Sequence, residues 1–258
     1  MFARKQQKEI RSYYETLYRE WGPQHWWPAE TQFEVIVGAY LTQNTAWVNV
    51  ERALENLRRA ELLSLDGIRA VKLSRLERLI RPSGYFRQKA ARLKTFVKFV
   101  DARYEGSLQK LFSEPTQKLR DELLALNGIG PETADSILLY AGNHPVFVVD
   151  AYTRRIFDRH GILTEKASYE EIRQLFQESL HPIATGLERT PAEIRPFLES
   201  GFRGAAHPPS AMSTAQRTAL IQVYNEMHGL IVGVGKNYCR KSKPTCDTCP
   251  LRKFLPAK

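Results

Sequence analysis

Residues 126–155 read LNGIGPETADSILLYAGNHPVFVVDAYTRR, and the fold follows from how that run is punctuated. Gly128, Ile129 and Gly130 make a tight turn in which an apolar residue separates two glycines. Glycine tolerates positive φ and lets a partner approach the backbone closely. Pro131 stands where a helix would begin, a position at which its missing N–H costs nothing. Ala134, Ile137, Leu138 and Ala141 follow at helical spacing, so one face is apolar. The segment before the turn, residues 119–126, also has a helical pattern. The unit predicted is helix, hairpin, helix, with free N–H groups gathered at a helix start, a ready site for a phosphate. An apolar run, residues 145–149, then ends in Asp150, a natural place for chemistry. Taken alone, the Gly-Ile-Gly tripeptide is also compatible with an ordinary interhelical turn.

Hairpin, apolar segment with Pro145, and Asp150, in that order and spacing, resemble the helix-hairpin-helix (HhH-GPD) DNA glycosylases of the endonuclease III superfamily. The resemblance implies an all-α fold of two helical lobes with a DNA-binding cleft and an essential aspartate at Asp150. It implies a six-helix lobe over residues 30–145. Residues 1–29 and 146–238 would make the second lobe, and residues 239–258 a cysteine-containing loop.

Composition agrees with such a partner. The chain has 258 residues, with 38 Lys and Arg against 28 acids and a formal charge of +10. A basic folded protein favours a polyanion, although solubility alone could account for the charge. No apolar run is long enough to span a membrane, and no signal-peptide core opens the chain. The expectation is a cytoplasmic monomer, on the nucleoid when bound to double-stranded DNA containing a damaged base.

Along the chain, residues 21–30 read WGPQHWWPAE, without helical or strand periodicity. Trp26 and Trp27 are either packing filler or an aromatic wall for a flat ligand. Residues 31–60 suggest two helices with a polar break at residues 42–47. Gln43 matches, by position, the family glutamine that enters the DNA stack where the target nucleotide leaves; otherwise it is a hydrogen-bonded or capping residue. Residues 80–93 hold Gly84-Tyr85 and Lys89, similar to a family element beside the DNA backbone. There Arg87 and Lys89 would meet phosphate, or belong to a solvated basic face. Arg154, Arg155 and Arg159 follow Asp150. Residues 181–215 are rich in Pro and Gly and read as an irregular insertion. Residues 216–238 are helical again, and His228 within them reads as a packed histidine.

Cys239, Cys246 and Cys249 match the first three positions of the family's Cys-x6-Cys-x2-Cys-x5-Cys pattern for a [4Fe-4S] cluster; the fourth falls on Leu255. Three outcomes are open: a retained cluster with another fourth ligand, a different metal such as zinc, or a loop that folds without metal. The reading leans to a retained structural cluster that holds Arg240, Lys241 and Lys243 against phosphate.

In the family's bifunctional members a lysine follows the hairpin and forms a Schiff base. Here that position is Glu132, so the resemblance implies hydrolysis without strand cleavage. Trp26-Trp27-Pro28, Gln43 and Glu132 together look like the 3-methyladenine DNA glycosylase branch. That likeness places Trp26, Trp27, Trp47, Glu132 and Lys236 around an extruded base, where stacked aromatics attract a cation. No general acid stands out, which suits an alkylated purine already carrying positive charge. Two alternatives remain. One is an endonuclease III-like glycosylase and lyase for oxidised pyrimidines; the other is a DNA-binding module without catalysis.

Overall fold

The structure, a computed structural model, describes residues 4–164, 166–186 and 207–256. Helices occur throughout these residues and strands are absent among them, as the all-α expectation required. Two compact units divide the chain: Met1–Pro28 with Pro145–Lys258, and Ala29–His144.

The Ala29–His144 unit carries α2 (Gln32–Thr42), α3 (Trp47–Arg59), α4 (Leu65–Ala70), α5 (Leu73–Leu79), α6 (Phe86–Tyr104), α7 (Leu108–Phe112), α8 (Thr116–Leu124) and α9 (Pro131–Ser136). The last continues into a π-turn, Ile137–Ala141. Local chemistry starts these helices. Thr31 accepts from the Glu34 amide, and Glu34 reaches back to the Glu30 amide, closing the first turn of α2 from both sides. Ser64 and Ser107 cap α4 and α7 in the same way. α2 is buried along Phe33, Val35, Ile36, Val37, Tyr40 and Leu41 and forms the centre of this unit. Arg120 on α8 and Asp135 on α9 make a two-pronged ion pair at 2.6 and 3.1 Å, with Asp135 fully buried, so the hairpin's two helices are tied by charge as well as by packing.

The other unit carries α1 (Arg4–Trp21), α10 (Ala151–Arg159), α11 (Tyr169–Gly186) and α12 (Ala219–Asn237). α12 is its axis: residues 223–235 are buried without a break, and α1, α10 and α11 pack around it. An aromatic cluster fills the interior, with Phe147 stacked on Phe176 at 4.4 Å and Phe157 edge-on to Phe176 at 4.7 Å. Gly229 has a packing role: a Cβ there would lie 2.9 Å from Gln24 Cβ, so the bare helix surface is what admits the aromatic loop.

Of the irregular insertion expected over residues 181–215, residues 181–186 are instead the last turns of α11. The pattern reading stopped at Pro182, which the helix accommodates in its interior. Residues 187–206 lie outside the described residues, and residues 207–215 are without regular helix.

Candidate active site

Asp150 ends the buried run Val146, Phe147, Val148, Val149 and is the N-cap of α10. One carboxylate oxygen accepts from the Thr153 amide at 2.7 Å and from the Thr153 hydroxyl at 2.9 Å. The other faces His228 Nε2 at 3.5 Å. Burial pushes the Asp150 pKa up. His228 and the two Thr153 donors pull it down further, and the net result lies below the ordinary carboxylate range. The side chain is only 11% exposed, and its surroundings favour the charged form.

Around it the same unit gathers aromatic surface. Trp26 and Trp27 are each 5% exposed and joined by a cis peptide bond. Their rings are tilted at 5.4 Å. His228 sits edge-on to Trp26 at 6.3 Å, and the Lys236 ammonium lies over the Trp26 ring at 5.5 Å. Asp150, His228, Trp26, Trp27 and Lys236 are thus brought together within this unit. Trp47 and Glu132 belong to Ala29–His144, at the starts of α3 and α9.

The hairpin is locked from two helices. Gln43 donates to the Gly128 carbonyl at 2.9 Å and to the Thr133 hydroxyl at 3.0 Å, while its own carbonyl accepts from Arg92 at 2.9 Å. Gly128 has φ +83°, and a Cβ there would lie 1.9 Å from the Arg92 guanidinium. Ile129 is buried, so it anchors the turn from beneath. Gly130 is different: a Cβ on it would meet nothing within 4 Å. The fold itself does not need that glycine; its bare backbone opens outward. Gln43 thus braces the turn.

Lys89 is a correction. Expected on the DNA backbone, it is 1% exposed, and its ammonium donates to Leu41 O at 2.8 Å, Ser83 O at 2.7 Å and Thr45 Oγ1 at 2.9 Å. Three acceptors inside the protein consume its three N–H groups. Burial, then the nearby Arg92, lowers its pKa to about 8. Arg87 is exposed, as a phosphate contact requires. Tyr85, in the Gly84-Tyr85 element that the sequence likened to a segment beside the DNA backbone, is 67% exposed in the left-handed conformation at φ 45° beside this lock. His228, read from the sequence as a packed histidine in an apolar helix, is the neighbour that sequence spacing did not bring to Asp150.

Cys239, Cys246 and Cys249 line one small pocket with His160, Arg159, Arg252 and Leu255. Leu255 offers no donor at the fourth position, and His160 Nδ1 is 2.7 Å from the Tyr13 hydroxyl. Among the described residues, His, Cys, Asp and Glu side chains nowhere gather in a group of three or more that could hold an ion. The residues present therefore do not complete the four-thiolate set of a [4Fe-4S] cluster. The loop is held by arginines of α10. Arg155 donates to Cys239 O at 2.7 Å; Arg159 donates to Arg240 O at 2.7 Å, Lys241 O at 3.0 Å and Cys239 Sγ at 3.3 Å. Arg154 likewise turns inward, to Ala167 O at 2.8 Å.

An all-helical chain with a braced Gly-Ile-Gly hairpin, and an aspartate at a helix start after an apolar run, defines a helix-hairpin-helix base-excision protein. Residues 37–182 match the model of the HhH-GPD superfamily base excision DNA repair proteins, and the chain belongs to that family. A Methanocaldococcus jannaschii protein, provisionally named a DNA repair glycosylase, is 41% identical over 96% of each chain. The crystal structure of the Helicobacter pylori 3-methyladenine DNA glycosylase MagIII bound to 1,N6-ethenoadenine is similar, with TM-score 0.68 and 29% identity over 90% of this chain and 97% of that one. A trapped endonuclease III–DNA covalent intermediate shares the fold at TM-score 0.69 and 20% identity, covering 99% and 96%. Among the described residues no helix is long and apolar enough to cross a membrane.

Proposed function

We propose that this glycosylase hydrolyses the N-glycosidic bond of alkylated purines, 3-methyladenine foremost, in duplex DNA, and leaves the sugar–phosphate strand intact. The observation that carries the reading is Asp150: a carboxylate kept ionised where water is scarce, with one oxygen committed to Thr153. When the bond between C1′ and the base nitrogen breaks, the base takes the bonding pair and the sugar becomes positive. A fixed anion beside that sugar stabilises it more than bulk water does. Water then forms the new C1′–O bond, and the carboxylate receives its proton. A cationic base departs neutral, so the scheme needs no general acid.

Aromatic surface next to the acid supports the substrate class. The Trp26 face already receives one cation, Lys236, and such contacts are worth about 2 kcal/mol or more when desolvated. The likeness to a 3-methyladenine glycosylase points the same way. Glu132 stands where a lyase would carry its amine, and a carboxylate forms no imine.

Mass spectrometry of bases freed from alkylated, deaminated and oxidised duplexes tests this, together with borohydride treatment during turnover. Alkylated purines should appear in solution, with no covalent protein–DNA adduct. Release of oxidised pyrimidines with a trapped adduct would overturn both the substrate class and the hydrolytic route.

A further inference from the structure

His228 is in the middle of α12, 6% exposed, with its Nε2 3.5 Å from the Asp150 oxygen that Thr153 leaves open. Its ring is fixed on two other sides, edge-on to Phe147 at 6.5 Å and to Trp26 at 6.3 Å. Phe147 and Asp150 come from one segment and Trp26 from the distant N-terminal one, and together they leave the imidazole little rotational freedom. At 3.5 Å the imidazole nitrogen lies within ion-pair reach of the carboxylate, and its presence favours the carboxylate's charged form.

We propose that His228 is the positioning residue of Asp150, holding the carboxylate in its reactive orientation and keeping it ionised through the pH range of turnover. The inference rests on Asp150 being the acid of the proposed reaction. It adds a residue eight positions before Lys236, on the opposite side of the acid from its helix cap.

Other charged and titratable groups near this pair are engaged elsewhere. On α10, Tyr152 feels the Asp150 charge and has Arg155 over its ring at 5.0 Å. On α12, Lys236 covers Trp26, and Glu226 accepts from the Gln24 amide at 2.8 Å. His207 packs on Trp26 at 5.4 Å. From α1, Tyr14 and Tyr18 face Glu226; from α11, Arg173 faces Tyr224. The side chains acting on Asp150 itself are His228 and Thr153.

The test compares His228→Phe with His228→Gln, whose amide N–H can reach the same oxygen. Single-turnover base release is followed across pH alongside duplex affinity and thermal unfolding. His228→Phe should slow release by about 10–100-fold, the rate equivalent of one polar partner of a buried charge. Its affinity should be unchanged and its acid limb moved to higher pH, because Asp150 would then protonate more easily. His228→Gln should recover most of the rate. Wild-type rate with an unmoved limb in His228→Phe, or equal losses in both variants tracking a lower melting temperature, overturns the proposal. A second arm needs no turnover: the acid limb of thermal unfolding in His228→Phe, which should move to higher pH because Asp150 loses the partner that favours its charged form, and an unmoved limb overturns the pairing. Full activity of Asp150→Asn would instead overturn the reading of the acid, a separate outcome.

Discussion

At Asp150 one carboxylate closes the first turn of α10 and, in the proposed reaction, supplies the charge for bond cleavage. Asparagine keeps an oxygen for the Thr153 amide and removes the charge. Asp150→Asn should therefore still fold but lose, near neutral pH, the stability that the charge contributes, while base release drops at least about 100-fold, the usual cost of losing a fixed electrostatic partner. Because the folded pKa of Asp150 is depressed, its charge contributes stability above the ordinary carboxylate range, and that contribution is lost as pH falls through the lowered value. Asp150→Asn should flatten the acid end of a melting-temperature profile, and an unaltered profile would count against a charged Asp150. Lys89 shows the reverse case, a residue whose sequence setting suggests DNA and whose surroundings are entirely internal. Lys89→Ala would strand the carbonyl of Leu41, at about 1–3 kcal/mol, while Ser83 O keeps its bond from the Thr45 hydroxyl. Chemical denaturation should show that loss. The salt dependence of duplex binding should stay as it was, and a shallower slope would return Lys89 to the DNA interface.

Among the elements, the aromatic loop depends on a buried acid. Glu226 on α12 accepts from the Gln24 amide at 2.8 Å and from Gln222 at 2.8 Å, so it pins the segment that presents Trp26 and Trp27. Burial raises its pKa to about 7 despite the Gln24 amide, Arg217 and Gln222, which pull it down. A carboxyl raised in the fold contributes stability fully below the ordinary value. That contribution is lost as pH rises through 7. Integrated, the effect is at most about 3 kcal/mol. Wild-type melting temperature should fall between roughly pH 5 and roughly pH 8, and Glu226→Gln should remove this part of the slope. Parallel profiles for the two proteins would sink the assignment. The hairpin element was legible before any coordinates because its signals are local: two glycines, a proline at the first helical position, and an apolar face. Its brace was not, since Gln43, Arg92 and Gly128 meet only when three separate segments pack.

For the whole molecule, the +10 charge predicts how it meets DNA. If three or more phosphates are neutralised, affinity should fall with a log–log salt slope of about −3 or steeper. Fluorescence anisotropy on an undamaged duplex would measure it, and a slope near zero would remove the electrostatic account. Not every basic residue contributes. Lys89, Arg155 and Arg159 spend their N–H groups on internal carbonyls.

What the sequence determined alone was the helical class, the hairpin and the acid that follows it. Each is written in a few neighbouring residues, where φ preference, capping and 3.6-residue periodicity act over short range. Tertiary structure decided which charges remain available: it buried Lys89, turned the α10 arginines onto the cysteine loop, and set His228 against Asp150, 78 positions away. Desolvation and hydrogen-bond partnership are properties of the packed interior, and segments distant in the chain supply both.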